Sequence, residues 1–272
     1  MKKSFALFAV LLSLVLALAA CGKDKDESAA LNTKEVLVGV TGGPHEQVME
    51  KVAEIAKKDG LEIKLKVFND YNTPNTALAD GDLDINSYQT KQFLDAQKAD
   101  KGYKIGEAFK TLTFPMGIYS KSVKNLDDIK KGDKIAVPND PSNEYRALKL
   151  FEEAGLIKLK EGTGEKATKR DVVENKLNLE ILELDSAQLP SQLGEVAAAA
   201  INTNFAMGAG LTIKKDAIFH EEAENNPYSN YLVVRNANKN DEVVKKIQEY
   251  YQNDEVKQFI EETFNGSIVP SW

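Results

Sequence analysis

Cysteine is nearly absent from this 272-residue sequence, which carries only Cys21. A lone thiol excludes an intramolecular disulfide and a thiolate metal site. Histidine is almost as scarce, with only His45 and His220. No serine stands in a Gly-x-Ser-x-Gly elbow, and neither a phosphate loop nor a paired metal-ligand motif appears. Nucleophilic, phosphoryl-transfer and metal-assisted chemistry therefore have no residues arranged to carry them. The expectation is a protein that is not an enzyme and holds no cofactor or metal. A surplus of positive charge is missing too: the net charge of −7 argues against nucleic acid as a partner. No internal repeat of fixed period is found. The one long apolar run, Phe5 to Ala20, is too short and too lopsided for a comfortable membrane span.

That run does have the parts of a secretory signal. Met1-Lys2-Lys3 precedes it, and Leu18-Ala19-Ala20-Cys21 at its end fits the bacterial lipoprotein box. Residues 1–20 are thus expected to be a signal peptide, with Cys21 the lipidated first residue of the mature protein. The polar, charged stretch that follows reads as a flexible tether over 21–33. The implied location is the cell membrane, lipid-anchored on its extracytoplasmic face. The tether and polar composition point to a monomer. The remaining length allows one large domain or two lobes of about 100–150 residues each.

Strand and helix signatures alternate along the body. Glu35 to Val40 is a buried strand, followed by a Gly42-Gly43-Pro44 turn and a helix from His45 to Lys58. Leu61 to Phe68 alternates apolar and polar residues, a strand signature. Asn75 to Asp80 reads as a short helix, Leu83 to Tyr88 as a strand and Lys91 to Ala99 as a helix. Further on, a helical turn is expected at Asp171–Glu174, strands at Leu179–Glu183 and Val196–Asn202, and a helix at Ser186–Leu193. Tyr231–Arg235 reads as a strand, and Asp241–Gln252 and Asp254–Phe264 as closing helices. This order predicts an α/β architecture with mixed sheets, and the small strand groups suit two modest sheets better than one long one.

Ligands in such folds gather in the crevice at the carboxyl ends of strands. The stretch Ile135 to Leu148 is built for that place. It reads as a buried strand, a polar turn and a helix capped by Asp140, with Pro141 in the first turn and Gly155 placed to end it. Arg146, early in this helix, offers a two-pronged hydrogen bond suited to a carboxylate, although an ordinary surface arginine reads the same way. Asn202, Asn204 and Asn230 follow or open strand-like runs and offer amides that can hold an ammonium group and a carboxylate edge. Tyr71, Tyr88 and Phe114 offer apolar walls. His45 at a helix start is expected to be structural. His220 and the acidic pairs Asp127-Asp128 and Glu221-Glu222 are expected to be solvated.

The sequence resembles the NlpA/MetQ type of methionine-binding lipoproteins, the extracytoplasmic receptors of methionine ABC importers. The likeness rests on Gly39-Val40-Thr41-Gly42-Gly43-Pro44-His45, on Asp70-Tyr71 with Pro74-Asn75 and Ala77 to Gly81, and on Asp84-Ile85-Asn86 through Gln89. It continues through Tyr119-Ser120, Pro138-Asn139-Asp140, Asn143-Glu144 and Arg146-Ala147-Leu148. Asn202-Thr203-Asn204, Ala209-Gly210-Leu211, Pro227-Tyr228 with Asn230, and Trp272 complete it. The resemblance implies a two-lobed periplasmic-binding-protein-like fold with a two-segment hinge. Lobe 1 is expected over 34–115 plus 233–272, and lobe 2 over 116–232. It further implies that Arg146 binds the ligand carboxylate, that Asn230 and Asn204 or Asn202 fix the amino-acid head, and that aromatic residues near Tyr71 and Tyr88 surround the side chain. The partners implied are an amino-acid ligand, methionine first, and a membrane permease with its ATPase.

The family usually reads Phe-Gln-His where this chain has Tyr88-Gln89-Thr90. Threonine is shorter and cannot make the hydrogen bond or ring contact of the histidine expected there. The head-group residues remain, so Thr90 bears on side-chain preference. A methionine-containing dipeptide, another sulfur amino acid, or a surface adhesin on the same fold are the alternatives.

Overall fold

A computed structural model describes residues 29–272. The expected signal segment 1–20, Cys21 and the tether as far as residue 28 lie outside the described residues. Strand β1 (Glu35–Thr41) runs through Gly42-Gly43 into helix α1 (Pro44–Lys58). Gly43 takes φ 86°, a backbone region closed to most side chains, and this lets the strand turn directly into a helix that begins with proline. Val48, Met49, Val52 and Ala56 make the buried stripe of α1. The chain continues as β2 (Glu62–Phe68), α2 (Thr73–Ala79), β3 (Ile85–Thr90), α3 (Lys91–Lys101) and β4 (Ile105–Thr113).

It then crosses at Phe114-Pro115-Met116 into β5 (Gly117–Tyr119), β6 (Lys134–Pro138) and α4 (Pro141–Glu153). Next come the paired strands β7 (Lys158–Leu159) and β8 (Val172–Glu174), then β9 (Glu180–Leu184), α5 (Leu189–Gln192) and β10 (Ala198–Ile201). Helices α6 (Thr203–Gly208) and α7 (Ile213–Asp216) lead to β11 (Ala217–His220). A second crossing, 221–228, returns the chain to β12 (Ser229–Arg235), α8 (Glu242–Tyr251), α9 (Asp254–Phe264) and β13 (Val269–Pro270).

The strands form two main sheets. The first has the order β13-β4-β12-β3-β1-β2 and the second β11-β5-β10-β6-β9. In the first, β1 runs parallel to β2 and β3, while β12 pairs antiparallel with β3 and β4. In the second, β6 runs parallel to β10 and β9, with β5 and β11 antiparallel. Each sheet is buried on both faces. One face of the first sheet packs Val36, Val38 and Val40 with Val52, Ile247, Val256 and Ile260 from the helices. The other packs Leu78, Leu83, Leu94 and Val233. The second sheet buries Ile135, Val137, Leu148 and Phe151 on one side and Ala199, Ile201, Leu189 and Ile213 on the other. Each such side chain contributes roughly 1.5–3 kcal/mol against exposure. The two-lobed α/β architecture with mixed sheets is therefore as expected.

Several local expectations give way to the tertiary structure. The stretch expected as a helical turn at 171–174 is strand β8, because Val172 and Glu174 find partners in β7 and the β-branched pair Val172-Val173 suits a strand. The helix expected over 186–193 is only Leu189–Gln192. The boundary expected between 232 and 233 falls inside β12, which pairs with the first sheet from Ser229 onward. The end of the expected tether is docked. Leu31 is buried, its N–H donates to Asp241 Oδ2 at 2.8 Å, and Ala29 O accepts from Asn238 Nδ2 at 2.8 Å. The two crossings are tied to each other: Glu221 N donates to Met116 O at 2.9 Å, and Met116 N donates to Glu221 Oε2 at 2.9 Å.

Candidate ligand-binding cleft

Between the sheets lies a narrow cleft with about 20 Å³ of free space, room for little more than one water molecule. It is lined from both lobes at the carboxyl ends of β1, β3, β6 and β10 and at the start of β12. All eight residues singled out in the sequence line it: Arg146, Asn230, Asn204, Asn202, Tyr71, Tyr88, Thr90 and Phe114. His45, Gln89, Phe93, Asn143 and Thr203 complete the lining.

The lobe 1 side is largely aromatic. Tyr71, Tyr88 and Phe93 stand in tilted and edge-on contact, with ring centroids 5.8–6.1 Å apart. The Tyr88 hydroxyl donates to Tyr71 O at 3.0 Å. Burial pushes the ionisation of both phenols up, so neither is a charge source. Tyr71 also spans the cleft: its hydroxyl donates to Asn204 Oδ1, and its ring lies 4.7 Å from Phe205. Thr90 caps α3, its Oγ1 accepting from Phe93 N at 3.2 Å. Gln89 turns into a closed amide network with Asn75 and Asn86.

His45 was expected to be only structural, yet its imidazole faces the cavity. It stacks on Phe114 at 4.2 Å, and Nδ1 lies 2.8 Å from Thr41 Oγ1. Nε2 lies 3.4 Å from Asn230 Oδ1, which can only accept, so Nε2 carries the proton and the Thr41 hydroxyl donates to Nδ1. Burial lowers the His45 pKa to about 4 despite the opposing hydrogen bond to Asn230, so the ring is neutral near pH 7. Asn230 pairs with Thr90 across β12 and β3. An imidazole thus reaches the wall beside position 90 from α1, where the loop itself supplies threonine. Its position directly after the Gly42-Gly43-Pro44 turn at the end of a strand was the signal that could have found it.

The lobe 2 side is polar. Arg146, 3% exposed, projects from α4. Its Nε donates to Glu221 Oε1 at 2.8 Å, and its Nη2 donates to Glu221 Oε2 and to Phe114 O, each at 2.6 Å. The Tyr228 ring covers the guanidinium at 4.2 Å. Nη1 has no hydrogen-bond partner among the described residues. Glu221 was expected to be solvated but is 11% exposed. Burial works against its ionisation, and the Arg146 guanidinium with the hydrogen bonds from Met116 N–H and Asn226 Nδ2 outweighs it and holds the carboxyl below the usual range. No local pattern announces this, because Glu221 meets Arg146 only through the second crossing. Glu222 is exposed, as expected, and His220 is half-buried on β11.

Two buried polar atoms at this end have no partner among the described residues: Asn202 Oδ1, an acceptor, and Asn204 Nδ2, a donor. Such atoms cost roughly 1–3 kcal/mol each unless a ligand completes them. Asn202 occupies the N-cap of α6 without using its side chain as a cap. Its Nδ2 donates instead to Asn143 Oδ1 at 2.9 Å. The cleft therefore offers a guanidinium and an amide N–H to an anion, an amide oxygen to a cation, and rings to an apolar group.

Two α/β lobes closing a small, half-aromatic and half-polar cavity define a solute-binding protein of the two-lobed class. Comparison with known sequences gives the particular one: residues 36–272 match the NlpA lipoprotein family, and the chain belongs to that family. The D-methionine-binding lipoprotein MetQ of Salmonella typhimurium is 45% identical over 277 residues, covering 100% of both chains. A solved nutrient-binding protein from Burkholderia cenocepacia bound to methionine has 48% identity and a TM-score of 0.85, covering 87% of this chain and 100% of that one. The crystal structure of the methionine-binding protein MetQ has 45% identity and a TM-score of 0.86, covering 89% and 99%.

Proposed function

We propose that this protein is the lipid-anchored receptor of an ABC importer, capturing methionine and presenting it to a membrane permease driven by an ATPase. The observation that carries the ligand class is the pair of unpartnered buried atoms beside Arg146. Asn202 Oδ1 accepts from the ligand ammonium, and Asn204 Nδ2 and Arg146 Nη1 donate to its carboxylate. Tyr71, Tyr88 and Phe93 pack the thioether chain, a soft apolar group that suits aromatic edges. Relatives named for methionine and a relative solved with methionine bound support the same ligand. The protein acts by binding and release, without turnover.

The lobes meet at the two crossings, 114–116 and 221–228, and ligand contacts to both walls favour the closed form. Cys21 carries the lipid, and the segment from Cys21 to the docked Ala29–Leu31 is the tether on the extracytoplasmic face. The receptor works as a monomer. Mass spectrometry of the small molecules released on denaturing the purified protein tests the ligand, with calorimetry against D- and L-methionine to separate the stereoisomers. Release of methionine and saturable one-to-one binding are expected. Absence of binding to any free amino acid, with binding to methionyl dipeptides instead, overturns the reading.

A further inference from the structure

Asp140 caps α4, accepting from Asn143 N at 3.0 Å, but its carboxylate does a second thing. Both of its oxygens face Asn143 Nδ2, at 3.0 and 2.9 Å. Ser142 donates to Oδ1 at 3.0 Å, and Ser186 donates to Oδ2 at 3.5 Å. A carboxylate can only accept, so the Asn143 amide has one permitted orientation: NH2 toward Asp140, oxygen away. That oxygen accepts from Asn202 Nδ2 at 2.9 Å, and this fixes the Asn202 amide in turn. The end of the chain is Asn202 Oδ1, buried and without a partner among the described residues, on a residue that lines the cavity.

We propose that Asp140 is a positioning residue for ligand recognition: through Asn143 it sets the polarity of the Asn202 amide and so fixes an acceptor, not a donor, at the ammonium end of the cleft. The inference rests on the amino-acid reading of the cleft and extends it from the residues that touch ligand to one that cannot reach it. An amide facing a cavity is free in principle to present either edge; a carboxylate two residues away in the hydrogen-bond chain removes that freedom without occupying the cavity. Burial raises the Asp140 pKa, and the hydrogen bonds from Asn143, Ser142 and Ser186 oppose that rise. At Asn204 the Tyr71 hydroxyl binds Oδ1 and Nδ2 is the edge left unpartnered among the described residues; a hydroxyl can donate or accept, so it holds this amide without dictating its polarity. The two neighbouring asparagines thus present opposite edges, although their sequence environments are alike.

The test is Asp140→Asn. Asparagine keeps the helix cap but puts a donor where one carboxylate oxygen stood. Asn143 can then turn over and Asn202 can present Nδ2 to the cavity. Affinities are measured by calorimetry for methionine and for 4-(methylthio)butanoate, the same molecule without its amino group. Methionine is expected to lose about tenfold to a hundredfold, the usual size of a hydrogen bond to a charged group, while the des-amino acid changes less than about threefold. Ser142→Ala, which removes one other bond to Asp140, is expected to leave the ratio of the two affinities unchanged. Unchanged methionine affinity in Asp140→Asn, or equal loss for both ligands, overturns the proposal.

If Asp140→Asn does not fold, Asn143→Leu interrupts the chain while leaving the backbone cap, and the same selective loss is expected. A readout without ligand separates this inference from the functional reading. The side-chain amide hydrogens of Asn202, assigned against Asn202→Ala, are expected to be protected from exchange in the native protein and to lose protection in Asp140→Asn. If the native protein binds no amino acid, the functional reading falls, and the exchange measurement still decides the relay.

Discussion

The two walls of the cleft are built on different principles. On lobe 1, Tyr71, Tyr88 and Phe93 touch one another, and the polar groups behind them, Asn75, Asn86 and Gln89, satisfy each other completely. That wall is finished without a ligand. On lobe 2, Asn202 and Asn204 each keep one buried atom unpaired, and Arg146 keeps Nη1 free while Glu221 holds the other edge of its guanidinium. That wall is finished only when something binds. A satisfied wall shapes whatever lies against it and tolerates variation in shape; an unsatisfied one demands a particular pattern of donors and acceptors. The lobe 2 wall therefore defines the class of ligand, and the lobe 1 wall selects within it.

The largest effect should come from Arg146→Ala, which breaks the demanding wall. It removes the carboxylate donor and leaves Glu221 buried without its partner. Methionine affinity is expected to fall at least about a hundredfold, and folding stability by about 3–5 kcal/mol, the usual penalty for orphaning a buried charge. Unchanged affinity by calorimetry would mean that the aromatic wall alone holds the ligand.

A smaller effect is expected from His45, which packs between Phe114 and Asn230 on the lobe 1 side. Its folded pKa is about 4, below the ordinary ~6.5 of an unfolded histidine. The unfolded chain therefore binds the proton first as pH falls. The stability contributed by the neutral ring is fully present above about pH 6.5 and is lost progressively toward pH 4, on the order of 3 kcal/mol in all. His45→Gln should flatten that part of the profile, as read by urea unfolding at pH 7 and pH 4.5. An identical slope in the variant would mean that His45 does not titrate in this window.

The smallest effect is expected from Tyr71→Phe. It keeps the ring on the lobe 1 wall and removes the hydroxyl that bonds Asn204 Oδ1 across the cleft. A loss of about 1 kcal/mol, or roughly fivefold in methionine affinity, should follow. A loss as large as that of Arg146→Ala would place the anchoring of the polar head on lobe 1 and dissolve the distinction between the walls.

Much of this was legible from the residues. The strand, cap and helix from Ile135 to Gly155 appear where their signals put them: Asp140 at the N-cap, Pro141 in the first turn and Gly155 just past the end at φ 76°. All eight candidate site residues line one cavity because each lies at a strand end facing the cleft or in the loop or helix just beyond it. What escaped was long-range. Glu221 reads like any acidic residue in a polar segment, and only the crossing between lobes brings it within 2.6 Å of Arg146. His45 reads as a residue at a helix start, and only the packing of α1 against β12 and Phe114 makes it part of the wall. Val172-Val173 reads as the end of a helical turn until β7 offers it a partner.

The sequence by itself determined the periodic elements, the capped helix that carries Arg146 and the chemical types gathered for binding, since these depend on neighbours within a few positions. Tertiary structure alone decided which edge of each amide faces the ligand. An asparagine side chain is a donor and an acceptor on one rotor, and a group met across space decides its edge: Asp140, an acceptor only, sets Asn202 by way of Asn143, while Tyr71 holds Asn204 Oδ1 across the cleft. Asn143 lies 59 residues from Asn202 and Tyr71 133 from Asn204, and folding brings them into contact.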